Sequence, residues 1–179
     1  MKMGKKEIVA TVVIVSIIIL FLLPVVPVSY TVKEPYEVTK RESQTLINDK
    51  PTVKAGYYIY YKRYIDVSQK EGNIVYGSII ETSGNDINFY VFDQKGFNAW
   101  KNGQSVSPYV YAKRVKSYTF SFVPDHTDYY YFVLDNTYSW FTNKVPKIEA
   151  TWDYKITVTE YRDVKKTKYI SVLQLLLES

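Results

Sequence analysis

Polar and apolar positions along this chain fall into three regimes. From Ile8 to Val28 there is no charged residue, and Thr11 and Ser16 are the polar interruptions of the run. At about 1.5 Å per residue, a helix over 8–28 would be roughly 31 Å long, which matches the hydrocarbon thickness of a bilayer. One N-terminal transmembrane helix is therefore expected there, with Pro24 and Pro27 in its last turns, where proline kinks or ends a helix. Residues 29–55 are polar, contain Pro35 and Pro51 and lack a helical apolar stripe, so they predict a stalk or edge segment.

The third regime begins at Gly56 and reads as short strands. Residues 57–67 are aromatic and β-branched, 73–82 follow the turn signal around Gly72, and Ser83-Gly84-Asn85-Asp86 is a second turn cluster. In 87–92, Ile87, Phe89 and Val91 share one face, with Asn88 and Tyr90 on the other. Residues 93–108, with Gly96, Gly103 and Pro108, read as a loop. Residues 109–123 alternate, and 129–134 are apolar throughout, as in a strand at a sheet centre. The strictest alternation lies in 147–159, where Ile148, Ala150, Trp152, Tyr154, Ile156 and Val158 oppose Lys147, Glu149, Thr151, Asp153, Lys155 and Thr157.

Many short strands without a long amphipathic helix predict an all-β domain, an antiparallel β-sandwich preceded by one transmembrane helix. The expected organisation is a cytoplasmic basic tail over 1–7, the transmembrane helix over 8–28, a stalk or edge segment over 29–55, the sandwich over 56–160 and a C-terminal extension over 161–179. Residues 31–38 and 157–164 echo each other in Thr, Val and Glu, and are expected to lie side by side. The apolar residues Ile170, Val172, Leu173 and Leu175–Leu177 are too few to span a bilayer. They pack on the chain itself, or dock on a partner or a membrane surface.

Charge orients this picture. The net charge is +5, of which Lys2, Lys5, Lys6 and Glu7 contribute +2 ahead of the apolar run. The positive-inside bias puts that end in the cytoplasm and the domain outside, in a single-pass cell-membrane topology. A cleaved signal peptide would want a shorter apolar core and small residues where Pro24 to Tyr30 stand, and a pilin-type leader would not separate Gly4 from the run by Lys5, Lys6 and Glu7. The remaining charge is spread over both signs, so no nucleic-acid partner is expected.

Composition narrows the chemistry. The chain holds 19 Tyr, 3 Trp and 8 Phe, but one His and no Cys, which excludes disulfides, thiolate catalysis and Cys-ligated metals. His126 sits in the turn Pro124-Asp125-His126-Thr127-Asp128 and reads as a solvated turn residue. A lone His is a poor transition-metal site, and Asp86, Asp93, Asp125 and Asp128 lack EF-hand spacing. No phosphate loop, nucleophile elbow or dinucleotide fingerprint is present. A non-enzyme without cofactor or metal is expected.

The aromatic loops are the candidate binding residues: Tyr138, Trp140 and Phe141 after Asp135-Asn136, and Trp100 between Asn98 and Gly103. Exposed, they would form platforms for protein partners or glycans; otherwise Trp140 and Trp100 tuck into the sandwich.

Two stretches carry a family resemblance. One runs from Gly77-Ser78-Ile79-Ile80-Glu81 through Asn88-Phe89-Tyr90-Val91-Phe92-Asp93. The other joins Phe120-Ser121-Phe122-Val123-Pro124 to an aromatic strand, 129–134, that ends in Asp135-Asn136, followed by Ser139, Trp140, Phe141 and Lys144. Over roughly 72–158 this resembles the GOLD domain, the lumenal β-sandwich of the emp24/p24 cargo-receptor family, and it is similar to archaeal GOLD-like proteins anchored at the N-terminus. The resemblance implies a jelly-roll-like sandwich and a binding role. The p24 anchor follows its domain and a coiled coil and the domain carries two cysteines; here the apolar run comes first, with neither heptads nor Cys. The functional expectation is thus an anchored, extracytoplasmic interaction module, an accessory subunit of a membrane or cell-surface complex, or alternatively a carbohydrate- or surface-layer-binding protein.

Overall fold

The computed structural model describes residues 4–83 and 85–178. Its elements, in order, are α1 (Lys5–Leu22), β1 (Pro24–Asp49), β2 (Tyr58–Ile65), β3 (Glu71–Glu81), β4 (Ile87–Phe92), α2 (Gln94–Lys101), β5 (Val110–Val115), β6 (Ser117–Phe122), β7 (Asp128–Asp135), β8 (Pro146–Ser171) and α3 (Val172–Leu177). The strands form two four-stranded antiparallel sheets, ordered β1-β8-β3-β6 and β2-β7-β4-β5, a β-sandwich-like architecture.

The N-terminal helix corrects the expected span over 8–28. It ends at Leu22, Leu23 is already extended with ψ 139°, and Pro24 to Val28 belong to β1. Pro24 has no N–H to give, and its ring disfavours helical backbone at the residue before it. The helix begins with Lys5, Lys6 and Glu7, so its apolar part runs only from Ile8 to Leu22, about 22 Å at the usual rise. No helix among the described residues is long and apolar enough to cross a membrane. Lys2 lies outside the described residues.

The chain divides into two compact units, Val38–Val158 and a second made of the residues up to Glu37 together with those from Thr159. In the first, both sheets turn apolar side chains inward. Val75, Ile79, Phe120, Ile148, Ala150 and Trp152 from one sheet meet Ile65, Phe89, Val91, Tyr130, Phe132 and Leu134 from the other. The alternation of 147–159 is thus realised, with Ile148, Ala150 and Trp152 buried. β7 lies between β2 and β4, the central position that its unbroken apolar run implies. Gly77 is required where β3 is sandwiched between β8 and β6, since a Cβ there would collide with the Glu149 carbonyl oxygen.

In the second unit, the two echoing segments do lie side by side. The Tyr36 hydroxyl donates to Glu160 at 3.0 Å, and Lys166 pairs with Glu34 at 2.6 Å. Of the residues 29–55 expected as stalk or edge, 29–49 belong to β1, a strand at the sheet edge that begins at Pro24.

The expected loop over 93–108 is also corrected, because α2 occupies its first half. Asp93 caps the helix, its Oδ1 accepting from the Gly96 N–H, and Gly103, with φ +71°, follows it. Phe97 and Trp100 lie three apart on the face that meets the outer side of β4 and β7, beside Phe92, Tyr131 and Val133.

Candidate functional site

The sequence candidates resolve into two separate places. The first is the loop after β7, which is held from below by Asp135 and Asn136. Asp135 accepts from the Thr137 N–H at 2.8 Å and from the Asn88 side-chain amide at 3.0 Å. Asn136 is fully buried, and its Nδ2 donates to the carbonyls of Val53, Lys54 and Thr142. The Ser139 hydroxyl and the Thr142 backbone close the tip on themselves.

Tyr138 does not belong to the exposed tip. Its hydroxyl donates to the Asp86 carbonyl at 2.7 Å and to the Asp86 carboxylate at 3.0 Å, while the Arg114 guanidinium lies over its ring. Burial pushes the Asp86 carboxyl up, but the Tyr138 hydroxyl and the Lys144 and Arg114 charges outweigh it and hold Asp86 below its ordinary range. Burial, and then Asp86, push the Tyr138 phenol up. What the pinned loop presents is Trp140 and Phe141, adjacent and 87 % and 94 % exposed. Neither tucks into the sandwich.

Trp100 lies elsewhere, in the aromatic layer under α2. Phe97 stacks on Tyr131 with centroids 4.1 Å apart, and Tyr58 meets Trp100 edge-on at 5.0 Å. Beside this layer a cleft of about 360 Å³ is lined by Tyr90, Phe92, Trp100, Val106, Ser107, Pro108 and Tyr111. Tyr90 and Tyr111 stack at 5.4 Å, so their rings and Trp100 form a shelf. Burial, then Asp135 and Tyr111, push the Tyr90 phenol up to about 12, so it stays a neutral donor at physiological pH. Sequence reasoning missed Tyr90 and Tyr111 here. The available signal was that the second face of β4, with Tyr90 and Phe92, is more aromatic than its core face, with Phe89.

The carboxylates considered together from sequence separate. Asp86 belongs to the Tyr138 cluster, whereas Asp93, Asp125 and Asp128 surround His126. Its Nδ1 is 2.7 Å from Asp125, and its Nε2 is 3.5 Å from Asp128 and 3.8 Å from Asp93. The hydrogen bond to Asp125 chiefly, with Asp128 adding to it, raises the His126 pKa against the opposing effect of burial. Asp125 in turn accepts from the Tyr109 hydroxyl, which together with His126 holds its carboxyl low. His126 is the exposed turn residue that was expected, its side chain 46 % exposed, and it is also the centre of a clasp that links the 124–128 turn to Asp93 at the head of α2. One ligand atom each from Asp93, His126 and Asp128 lies within 4.8 Å of the others, the set among the described residues that could hold a metal ion. A cleft of about 500 Å³ adjoins it, lined by Asp93, Lys95, Tyr109 and Asp125 among others.

No protein-family model matches this chain, and no curated protein matches it.

Proposed function

We propose that this chain is a membrane-attached interaction module, an accessory subunit of a membrane or cell-surface complex, that binds a protein partner rather than catalysing a reaction. The observation that carries the reading is the Trp140–Phe141 pair. Two large rings stand almost wholly in solvent on a loop whose root is pinned by Asn136, Tyr138 and Ser139. Aromatic side chains on a pre-ordered loop offer large contact area at small entropic cost, which is the anatomy of a binding hot spot. Attachment is by the apolar surface of α1 over Ile8–Leu22, with Lys5 and Lys6 at its polar end. The two-sheet architecture agrees with the GOLD-like sandwich that the sequence resembles, and a binding role follows from that likeness by analogy.

The test is capture of the full chain from its native membranes in mild detergent. The wild type is expected to migrate with a partner, and Trp140→Ala/Phe141→Ala to migrate alone with unchanged thermal stability. A wild type that migrates alone and monomeric sinks the reading.

The cleft beside α2 favours a second reading, glycan binding. Sugars present apolar C–H faces to aromatic rings, and Tyr90, Trp100 and Tyr111 provide such rings with the Ser107 hydroxyl at the rim. Glycan-array binding that is lost in Trp100→Ala and kept in Trp140→Ala would select it.

A further inference from the structure

The C-terminal helix α3 has one buried root and an apolar remainder. Ile170 and Ser171 are buried. Ser171 and Gln174 form a reciprocal capping box, the Ser171 hydroxyl accepting from the Gln174 N–H at 3.1 Å and the Gln174 side chain accepting from the Ser171 N–H at 3.1 Å. The side-chain oxygen of Gln174, the one polar side chain within the helix, is thereby engaged. Leu173, Leu175 and Leu177 remain 43 %, 42 % and 78 % exposed, and α3 touches α1.

α1 shows the same economy. Every large apolar side chain from Ile8 to Leu23 is between 44 % and 64 % exposed, around the full circumference of the helix. The Thr11 hydroxyl donates to the Glu7 carbonyl at 2.9 Å and the Ser16 hydroxyl to the Val12 carbonyl at 2.8 Å. Polar groups satisfied within their own helix, with apolar surface on all sides, suit a solvent that offers no hydrogen bonds. A protein partner would instead leave one apolar stripe and a polar remainder. Next to the helices in sequence stand Tyr30 on β1 and Tyr169 on β8, 40 % and 64 % exposed, with Lys168 also exposed. Aromatic and lysine side chains are the residues that settle at the headgroup level of a bilayer.

We infer that α3 is a second membrane contact, seated beside α1 at the headgroup–acyl boundary, with Leu173, Leu175 and Leu177 in lipid. Glu178, which caps the helix, limits its depth. The occupant of this apolar surface is lipid acyl chain, in the leaflet that α1 enters. Both flanks of the β1–β8 pair then reach the membrane. This inference rests on attachment through α1, and its test separates the two.

The absence of Cys makes single-site labelling clean. Full-length protein carrying Ile14→Cys, Leu177→Cys or Gln104→Cys, each labelled with an environment-sensitive fluorophore, is reconstituted into phosphatidylcholine–phosphatidylglycerol vesicles. The probes at 14 and 177 are expected to be quenched by nitroxide-bearing lipid and to be several-fold less sensitive to aqueous iodide than the probe at 104. A probe at 177 that iodide quenches as strongly as the one at 104, while 14 is lipid-quenched, overturns the α3 inference and leaves attachment through α1 standing. Shielding of 177 from both quenchers overturns it in favour of a protein cover. An iodide-accessible probe at 14 overturns attachment itself, and the inference with it.

Discussion

The two units handle apolar residues in opposite ways. In Val38–Val158, Phe89, Phe132, Ile148 and their neighbours are excluded from solvent by the facing sheet, while the exposed aromatics lie on loops or outer strand faces. In the other unit, α1 is apolar at every position from Ile8 to Leu22 except Thr11 and Ser16, and none of its residues is buried. Hydrophobic content alone therefore does not make a core. A pleated strand with period two has a partner sheet to face, whereas a helix that is apolar all round has no preferred face to turn inward. Removing a side chain should consequently cost stability in the first unit and almost none in the second.

The largest expected effect is in the sandwich core. Phe89→Ala leaves a cavity beside Phe120, whose ring centroid is 5.0 Å away, and should destabilise by about 4 kcal/mol in denaturant unfolding. Ile14→Ala in α1, measured in the same detergent, should leave that transition where it was. If both variants shifted it equally, the contrast between the units would be broken.

Gly77→Ala comes next. Its new Cβ meets the Glu149 carbonyl and the Ala150 Cα, both backbone, so β3 and β8 must separate, at a cost of roughly 3 kcal/mol. Glu81→Ala should follow at about 2 kcal/mol, because this buried carboxylate accepts from the backbone N–H groups of Ser83, Asn85 and Val145 and from the Ser83 hydroxyl. Both are read by the same unfolding curves, and a neutral Glu81→Ala would show that water replaces the carboxylate.

A smaller effect is pH-dependent. His126 has its pKa raised above the ordinary 6.5, so the folded state holds its proton more tightly than the unfolded chain does. Its contribution is complete below 6.5 and fades as pH rises through the folded value. The partner Asp125 is shifted low, so its contribution is present above its ordinary 3.8 and is lost only as pH falls through the lowered value. Wild type should therefore melt above His126→Asn near about pH 5.5 and level with it near about pH 9. A melting difference that is constant with pH would mean that the clasp is not ionic.

The smallest stability effect is expected at the loop tip. Trp140→Ala/Phe141→Ala should stay within about 0.5 kcal/mol of wild type, since neither ring is buried. This places the cost of keeping two exposed aromatics outside folding and sharpens the contrast with Phe89.

Local pattern alone was enough for most of the strands. Residues 87–92 are β4 without adjustment, and 147–159 lie within β8, because alternation reports directly which face meets a core. Turn chemistry likewise pointed to Asp135-Asn136, although their bonds to Asn88, Val53 and Lys54, far away in sequence, were not legible in it. Three features needed the tertiary structure. α2 was hidden because eight residues with a central glycine have weak helical preference of their own, and the helix is held by Phe97 and Trp100 on β4 and β7. The clasp around His126 was hidden because Asp93 is 33 positions away, and only the fold brings its carboxylate to the imidazole. The end of α1 at Leu22 is the reverse case. Hydropathy ran on to Val28, but a proline has no N–H for the helix, and the backbone from Pro24 onward belongs to β1, the sheet neighbour of β8. Side-chain periodicity is a property of each segment; which distant side chains meet, and which backbone partner wins a contested boundary, are properties of the whole chain.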